Sequence, residues 1–245
     1  MVTAQDRARY ARQMIIPGWG EAAQEKLARA TVFIAGCGGL GSPVSLYLAA
    51  AGVGTIIVCD SDSVEITNLN RQLLHDFSRI GTPKSDSAFK TLSALNAEIS
   101  IVPVREKITK KNAASLIRGA GLIMDCLDNF ETRHILNLVS VREGIPLVHA
   151  GIEGMQGQVT FLQPPLTPCL ACFQPESPGK KAVPVLGATA GILGSLQALE
   201  AIKYITGLGT TLANRLLFWD GAEIRWASIS ISRNPKCKVC RSIHP

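Results

Sequence analysis

Two acids and two cations carry the chemistry that this sequence can do: Asp60, Arg71, Lys84 and Asp128. Asp60 closes an apolar run at residues 55–59, and Asp128 follows another at 122–126. Arg71 and Lys84 fall in and just after a polar connection between them, in company with Asp62, Asn68 and Gln72. Ligands of open α/β sheets bind at the C-terminal ends of the strands, where loops of this kind lie. Two cations there suit a triphosphate, and an acid on the same rim suits Mg²⁺. A nicotinamide cofactor would need Asp60 and little further charge, so the polar set favours ATP over NAD.

The elements that position these groups start with Gly36-Cys37-Gly38-Gly39-Leu40-Gly41-Ser42. An apolar β-branched run at 31–35 precedes it, a helical run at 44–51 follows, and the strand ending at Asp60 comes next. Strand, glycine turn, helix, strand and acid form the layout of a nucleotide-binding βαβ unit. Gly36, Gly38, Gly39 and Gly41 permit a tight turn and let phosphates reach bare backbone, while the helix start offers unpaired N–H groups to an anion. Asp60 is placed to accept hydrogen bonds from ribose hydroxyls.

Further along, the pattern predicts helices at 4–16 and 21–29, a helix opened by Pro83 and running to 96, and a strand at 99–104. A helix at 112–118, the strand at 122–126, a helix at 131–143 and strands at 146–150 and 158–162 follow. This alternation predicts an α/β fold with a Rossmann-like, mainly parallel sheet and helices on both faces. Past Gln163 prolines crowd the chain, and residues 175–185 read as an exposed, mobile loop. Residues 182–205 read as a buried apolar helix: Gln197, Glu200 and Lys203 interrupt it, and its unbroken apolar part is shorter than the roughly 20 residues of a membrane span. Two runs at 215–219 and 225–232 read as antiparallel strands. The expected organisation is one domain over 1–245, with N-terminal helices (1–29), a nucleotide-binding core (30–163) and a C-terminal part (164–245).

With 245 residues, 47% of them hydrophobic and 18% charged, the chain belongs to the globular class. Its net charge of +6 is scattered, with no basic run interleaved with aromatics, so nucleic acid is not the expected partner; an acidic protein would suit it as well. Nor is a membrane expected. No secretory signal is evident, and the expected location is the cytoplasm, with reduced thiols. Of seven cysteines, Cys37, Cys59 and Cys126 sit in or beside apolar runs as small buried residues. The other four form two CxxC pairs, Cys169/Cys172 and Cys237/Cys240, a match for a closed tetrahedral Cys₄ zinc site; two disulfides or redox pairs are the alternative. His75, His134, His149 and His244 carry no ligand pattern, and Trp19, Trp219 and Trp226 read as packing residues.

In combination the motifs resemble the HesA/MoeB/ThiF family, bacterial relatives of ubiquitin-activating enzymes. The matching pieces are Arg9-Tyr10-Ala11-Arg12-Gln13, the Gly36–Ser42 turn, Asp60-Ser61-Asp62, Asn68-Leu69-Asn70-Arg71-Gln72, Gly81-Thr82-Pro83-Lys84, Cys126-Leu127-Asp128-Asn129, Gly194-Ser195-Leu196-Gln197 and the CxxC pairs. The resemblance implies an enzyme that uses ATP–Mg²⁺ to adenylate the C-terminal glycine carboxylate of a ubiquitin-like sulfur carrier, with pyrophosphate leaving. The small subunit of molybdopterin synthase is the expected carrier; a thiamine thiazole carrier or one from another thiolation pathway is the alternative. By the same analogy Asp60 holds the ribose, Asn68, Arg71 and Lys84 bind phosphates, Asp128 holds Mg²⁺, and Arg12 reaches into the neighbouring subunit's site of a homodimer. Many relatives carry a cysteine in the loop ahead of the apolar helix. Residues 177–186 contain none, the corresponding place falling near Lys180. The adenylate is then attacked by an external sulfur donor, and since no rhodanese-like segment follows residue 245, sulfur is expected from another protein or from sulfide. Two readings of other classes are an NAD-dependent oxidoreductase, which requires that Arg71, Lys84 and Asp128 stay apart, and a non-catalytic scaffold.

Overall fold

The computed structural model describes residues 2–174 and 183–243. Its centre is one eight-stranded sheet in the order β3-β2-β1-β4-β5-β6-β7-β8. Strands β1 (Thr31–Ala35), β2 (Thr55–Cys59), β3 (Ser100–Val104), β4 (Leu122–Asp125) and β5 (Leu147–Glu153) are parallel. The chain then reverses, and β6 (Gln156–Leu162), β7 (Arg215–Asp220) and β8 (Arg225–Ser230) continue the same sheet antiparallel. The parallel half has the 3-2-1-4-5 order of a doubly wound nucleotide fold, with its switch point between β1 and β4.

Alternation along β1 builds two cores. Val32 and Ile34 face one side, packed with Leu27 of α3 (Gly20–Arg29), Val44 and Leu48 of α4 (Gly41–Ala51), Leu92 of α5 (Lys84–Leu95) and Leu193 of α9 (Gly187–Thr206). Phe33 and Ala35 face the other, packed with Ile117 of α6 (Ala113–Ile117) and Leu136 of α7 (Phe130–Glu143). Strands β1 and β2 have the bounds that the sequence predicts. Helix α4 starts three residues before its expected start, because Pro43 sits in the first turn, where a missing N–H costs nothing. The expected helix at 4–16 is two helices, α1 (Ala4–Arg9) and α2 (Ala11–Met14). The break is Tyr10, whose buried hydroxyl accepts a hydrogen bond from Asn96 Nδ2 at 2.9 Å.

The apolar segment at 182–205 becomes α9, laid against α4 and the sheet with Gln197 and Glu200 buried. Gln197 Nε2 donates to the carbonyls of Asp125 (2.9 Å) and Val148 (3.2 Å), fastening α9 to the ends of β4 and β5. No helix of the described residues is long and apolar enough to cross a membrane. Most of the expected loop at 175–185, with Lys180, lies outside the described residues, as does His244. From Val183 the chain lies along the β5–β6 turn, with Gly154 N–H donating to the Pro184 carbonyl at 2.7 Å.

Gly41 is where α4 meets the turn after β1. A Cβ there would fall 2.0 Å from the Gly36 carbonyl oxygen, and Gly36 itself has φ +95°. Gly41→Ala is expected to cost about 3 kcal/mol through forced overpacking. In a chain of this size that lowers Tm by roughly 6–12 °C. Gly144→Ala, at a helix C-cap with φ +67° and open space around it, should cost about 1 kcal/mol. Equal melts for the two variants would contradict this packing.

Candidate active site

A cavity of about 1140 Å³ opens at the C-terminal ends of the parallel strands. Gly36, Gly38, Gly39, Asp60, Asp62, Arg71, Gln72, Lys84 and Asp128 all line it. The predicted polar set therefore converges, from four separate stretches of chain, at the switch point between β1 and β4. Glu106, Lys107 and Ile108 line the side beyond β2. The other half is bounded by residues 151–153 and 156–158 of the β5–β6 hairpin, Phe218 and Trp219 of β7, and Arg225 to Ala227 of β8.

Local folding explains each position. No side chain caps α4 and no acid occupies its first turn, so that helix end faces the cavity with its dipole unanswered. Asp60 accepts hydrogen bonds from the backbone N–H of Cys37 (2.8 Å) and of Asp62 (2.9 Å), tying the glycine turn to the end of β2. Burial pushes its carboxyl up from the ordinary value, against those two amides and Lys84, which pull it down. Lys84 is buried at the start of α5, with Nζ 3.2 Å from Asp62 Oδ2. Arg71 Nη1 donates to the Thr67 carbonyl at 2.8 Å, and its stem lies beside Gly39 and Gly187. Gln72 is buried at the cavity wall, and its Oε1 is itself buried with no partner among the described residues. Asp128 is exposed on the rim.

Three expected site residues lie elsewhere. Gly41 fills a packing role. Asn68 is buried in a 3₁₀ turn (Ile66–Asn68), its Oδ1 accepting from the Glu65 N–H at 3.0 Å. Arg12 is exposed on α2, outside the cavity of its own chain.

Sequence reasoning missed a buried polar row under the cavity floor. Asp125 and His149 are paired neighbours on β4 and β5, both fully buried, with Asp125 Oδ2 2.7 Å from His149 Nδ1. Arg133 of α7 lies over them, its Nε 3.7 Å from Asp125 Oδ1 and its Nη2 donating to the Leu127 carbonyl. Burial alone would push the Asp125 carboxyl up; Arg133 and His149 reverse that, and it ends below its ordinary value. Burial likewise pushes the His149 ring down, so the ring is neutral. The available signal was Asp125 itself, an acid closing an apolar strand run. Of the tryptophans, Trp19 and Trp219 pack in the core, but Trp226 is half exposed and lines the cavity, its ring 4.5 Å from that of Trp219. His75 is also buried, with Nδ1 2.9 Å from Ser87 Oγ and Nε2 3.0 Å from the Cys37 carbonyl, bracing the glycine turn against α5.

The four paired cysteines meet. Cys169 and Cys172 flank and enter the short helix α8 (Leu170–Phe173), and Cys237 and Cys240 come from the C-terminal segment. Their Sγ atoms all lie within 4.8 Å of one another, with neighbouring pairs at 3.4, 3.7 and 3.9 Å. None is in a disulfide. A tetrahedral ion with metal–sulfur bonds of about 2.3 Å sets sulfur–sulfur edges of roughly 3.8 Å, so the donor set fits zinc.

A doubly wound sheet that gathers a glycine turn, an acid, two cations and a rim carboxylate in one cavity defines a nucleotide-using α/β enzyme. The chain belongs to the ThiF family, whose profile matches residues 10–239, and it is a nucleotidyltransferase. It is 41% identical over 238 residues to a SAMP-activating enzyme E1 of Haloferax volcanii, covering 95% of this chain and 88% of that one. It is 40% identical over 249 residues to a sulfur carrier protein adenylyltransferase of Thermus thermophilus, covering 97% and 92%. A solved structure of E. coli MccB with ATP superposes with a TM-score of 0.84 at 27% identity, covering 95% of this chain and 74% of that one.

One pH effect follows from His75, whose ring is pushed down to about 4 by burial, from 6.5 when exposed. The unfolded chain binds its proton first, so stability is fully present above pH 6.5 and declines as pH falls from 6.5 towards 4. Urea midpoints measured across that window should fall for the wild type, and His75→Gln should flatten that part of the slope.

Proposed function

We propose that the protein is an ATP-dependent adenylyltransferase that activates the C-terminal glycine carboxylate of a ubiquitin-like sulfur carrier. The observation that carries this reading is the two-part cavity. Its volume of about 1140 Å³ exceeds the upper end of roughly 300–1,000 Å³ usual for small-ligand sites. One half holds the glycine turn and the cations; the other is walled by strands and aromatic rings, as an extended peptide tail requires. Names of the relatives point the same way. The small subunit of molybdopterin synthase is the carrier we place first.

In this reading the tail carboxylate attacks the α-phosphorus of ATP, the bond to the bridging oxygen breaks, and pyrophosphate leaves. Arg71, Lys84 and the start of α4 stabilise charge that grows on the phosphates; positioning and electrostatics supply most of such catalysis. Asp60 faces the ribose. Asp128 would hold Mg²⁺, which neutralises phosphate charge when bound. Asn68 is placed to hold the turn that carries Arg71 rather than to touch a phosphate. The acyl-adenylate is released to an external sulfur donor.

We further propose a homodimer in which Arg12 completes the partner's cavity. Arg12 is exposed and makes no hydrogen bond or ion pair among the described residues, while Leu73 and Phe77 leave large apolar surface exposed for a second copy. The whole chain is taken as one adenylation unit in the cytoplasm; the single sheet that joins all eight strands supports the one-unit reading. Zinc at the four cysteines would staple the C-terminal segment to α8.

Carrier-dependent ATP–pyrophosphate exchange, run with a panel of Gly-Gly-ended carriers, tests the activity. One carrier should support exchange, and Asp128→Ala should abolish it; ATP binding with no exchange for any carrier would overturn the acyl substrate. Mixing Arg12→Ala with Asp128→Ala protein tests the dimer. Random exchange makes half the dimers mixed, each with one intact site, so about a quarter of wild-type activity should return. No recovery would place Arg12 outside the partner's site. Metal analysis should give about one Zn²⁺ per chain, the ratio of a single Cys₄ site. Folded, metal-free protein with four free thiols would exclude zinc.

A further inference from the structure

The buried row of Asp125 and His149 does not end at Arg133. His149 stands opposite Thr160 on β6, and Gln158, two residues along, shares Thr160's face of the sheet. Gln158 Nε2 lies 3.5 Å from His149 Nε2, at the long limit of a hydrogen bond. Gln158 itself is half-buried and lines the strand-walled half of the cavity. The row thus runs from a fully buried carboxylate, through a fully buried ring, to an amide at the cavity surface.

Chemistry sets its polarity. Asp125 is an ionised acceptor, so His149 must carry its proton on Nδ1 to donate to it. The neutral ring then has only a lone pair on Nε2, which accepts. Gln158 must therefore turn its NH₂ towards His149, and its Oε1 is aimed away. Among the described residues no donor reaches that oxygen. Gly151 leaves room beside the stem and the NH₂ of the amide: a Cβ there would come 3.2 Å from Arg133 Nη1 and 3.7 Å from Gln158 Cγ and Nε2. The same carboxylate also accepts from the Leu127 N–H at 3.2 Å, so the row is joined to the segment that carries Asp128.

We infer that Gln158 is a substrate-contacting residue whose Oε1 accepts a backbone N–H from the extended C-terminal tail of the acyl substrate, and that His149 and Asp125 are positioning residues that hold the amide in that orientation. This rests on the adenylation reading and names the group that recognises the tail in it. A hydrogen bond to main chain fits any tail of small residues, and it holds the tail in register beside Asp128.

The test is ATP–pyrophosphate exchange with the carrier protein that supports wild-type exchange, varying carrier and ATP separately. Gln158→Ala should raise KM for the carrier about tenfold, the factor of one lost hydrogen bond, and leave KM for ATP within about twofold. Gln158→Leu, which keeps similar bulk but offers no acceptor, should do the same. His149→Phe should raise the carrier KM similarly, and His149→Phe combined with Gln158→Ala should be no worse than Gln158→Ala alone, because the two act through one contact. Melting curves check that the variants fold; if His149→Phe does not, the two Gln158 variants decide. An unchanged carrier KM in Gln158→Ala, or carrier and ATP KM values rising together, would overturn this assignment while leaving adenylation intact. Wild-type protein that exchanges with no carrier would overturn both.

Discussion

Everything at the cavity depends on how closely α4 is seated on the turn after β1. The Gly36 carbonyl lies where a side chain at Gly41 would begin, and on the far side of the helix Gly194 lets α9 close onto Pro43, where a Cβ would come within 2.4 Å. Backbone thus meets backbone on both sides of α4. Any side chain at either place would lift the helix and swing its N-terminal end off the cavity. That end carries no acid and no cap of its own, so its aim is what makes the turn a phosphate site.

Charge is handled differently in the two halves of the site. Around the nucleotide half, Asp60 and Asp62 stay partly within reach of solvent, and with the buried Lys84 they bond mostly to backbone or to each other, which leaves capacity for an incoming polyanion. Under the floor, Asp125 is wholly buried and is balanced by Arg133 and His149. A buried charge of that kind is a weak source of stability but costs several kcal/mol when one partner is removed. Its value lies in orientation: it sets which nitrogen of His149 holds the proton and which way Gln158 faces.

The C-terminal part has a mechanical role of its own. Strands β7 and β8 extend the sheet past the doubly wound half, and β8 is exposed along its whole length. Their inner ends, with Trp219 and Trp226, wall the cavity that the parallel strands only open. The four thiols lie together with Val141 of α7, so the last segment packs against α7 and α8.

Read alone, the sequence determined the βαβ unit, the two cores, the CxxC pairs and the polar set of Asp60, Arg71, Lys84 and Asp128. These are local in origin: glycine turns, alternating apolar residues and charged groups at strand ends are written in adjacent positions. It could not separate Gly41 and Asn68, which pack and brace, from Gly38, Gly39 and Gln72, which face the cavity, because motif membership does not say which way a residue points. Nor could it find the row of Asp125, Arg133, His149 and Gln158, whose members come from four elements and meet only when β4, β5 and β6 lie side by side under α7. Tertiary structure alone decided that His149, unremarkable in a strand, is paired with a buried carboxylate. Such a pair depends on strand register and burial, both of which come from the packing of distant segments and leave no mark on the spacing along the chain.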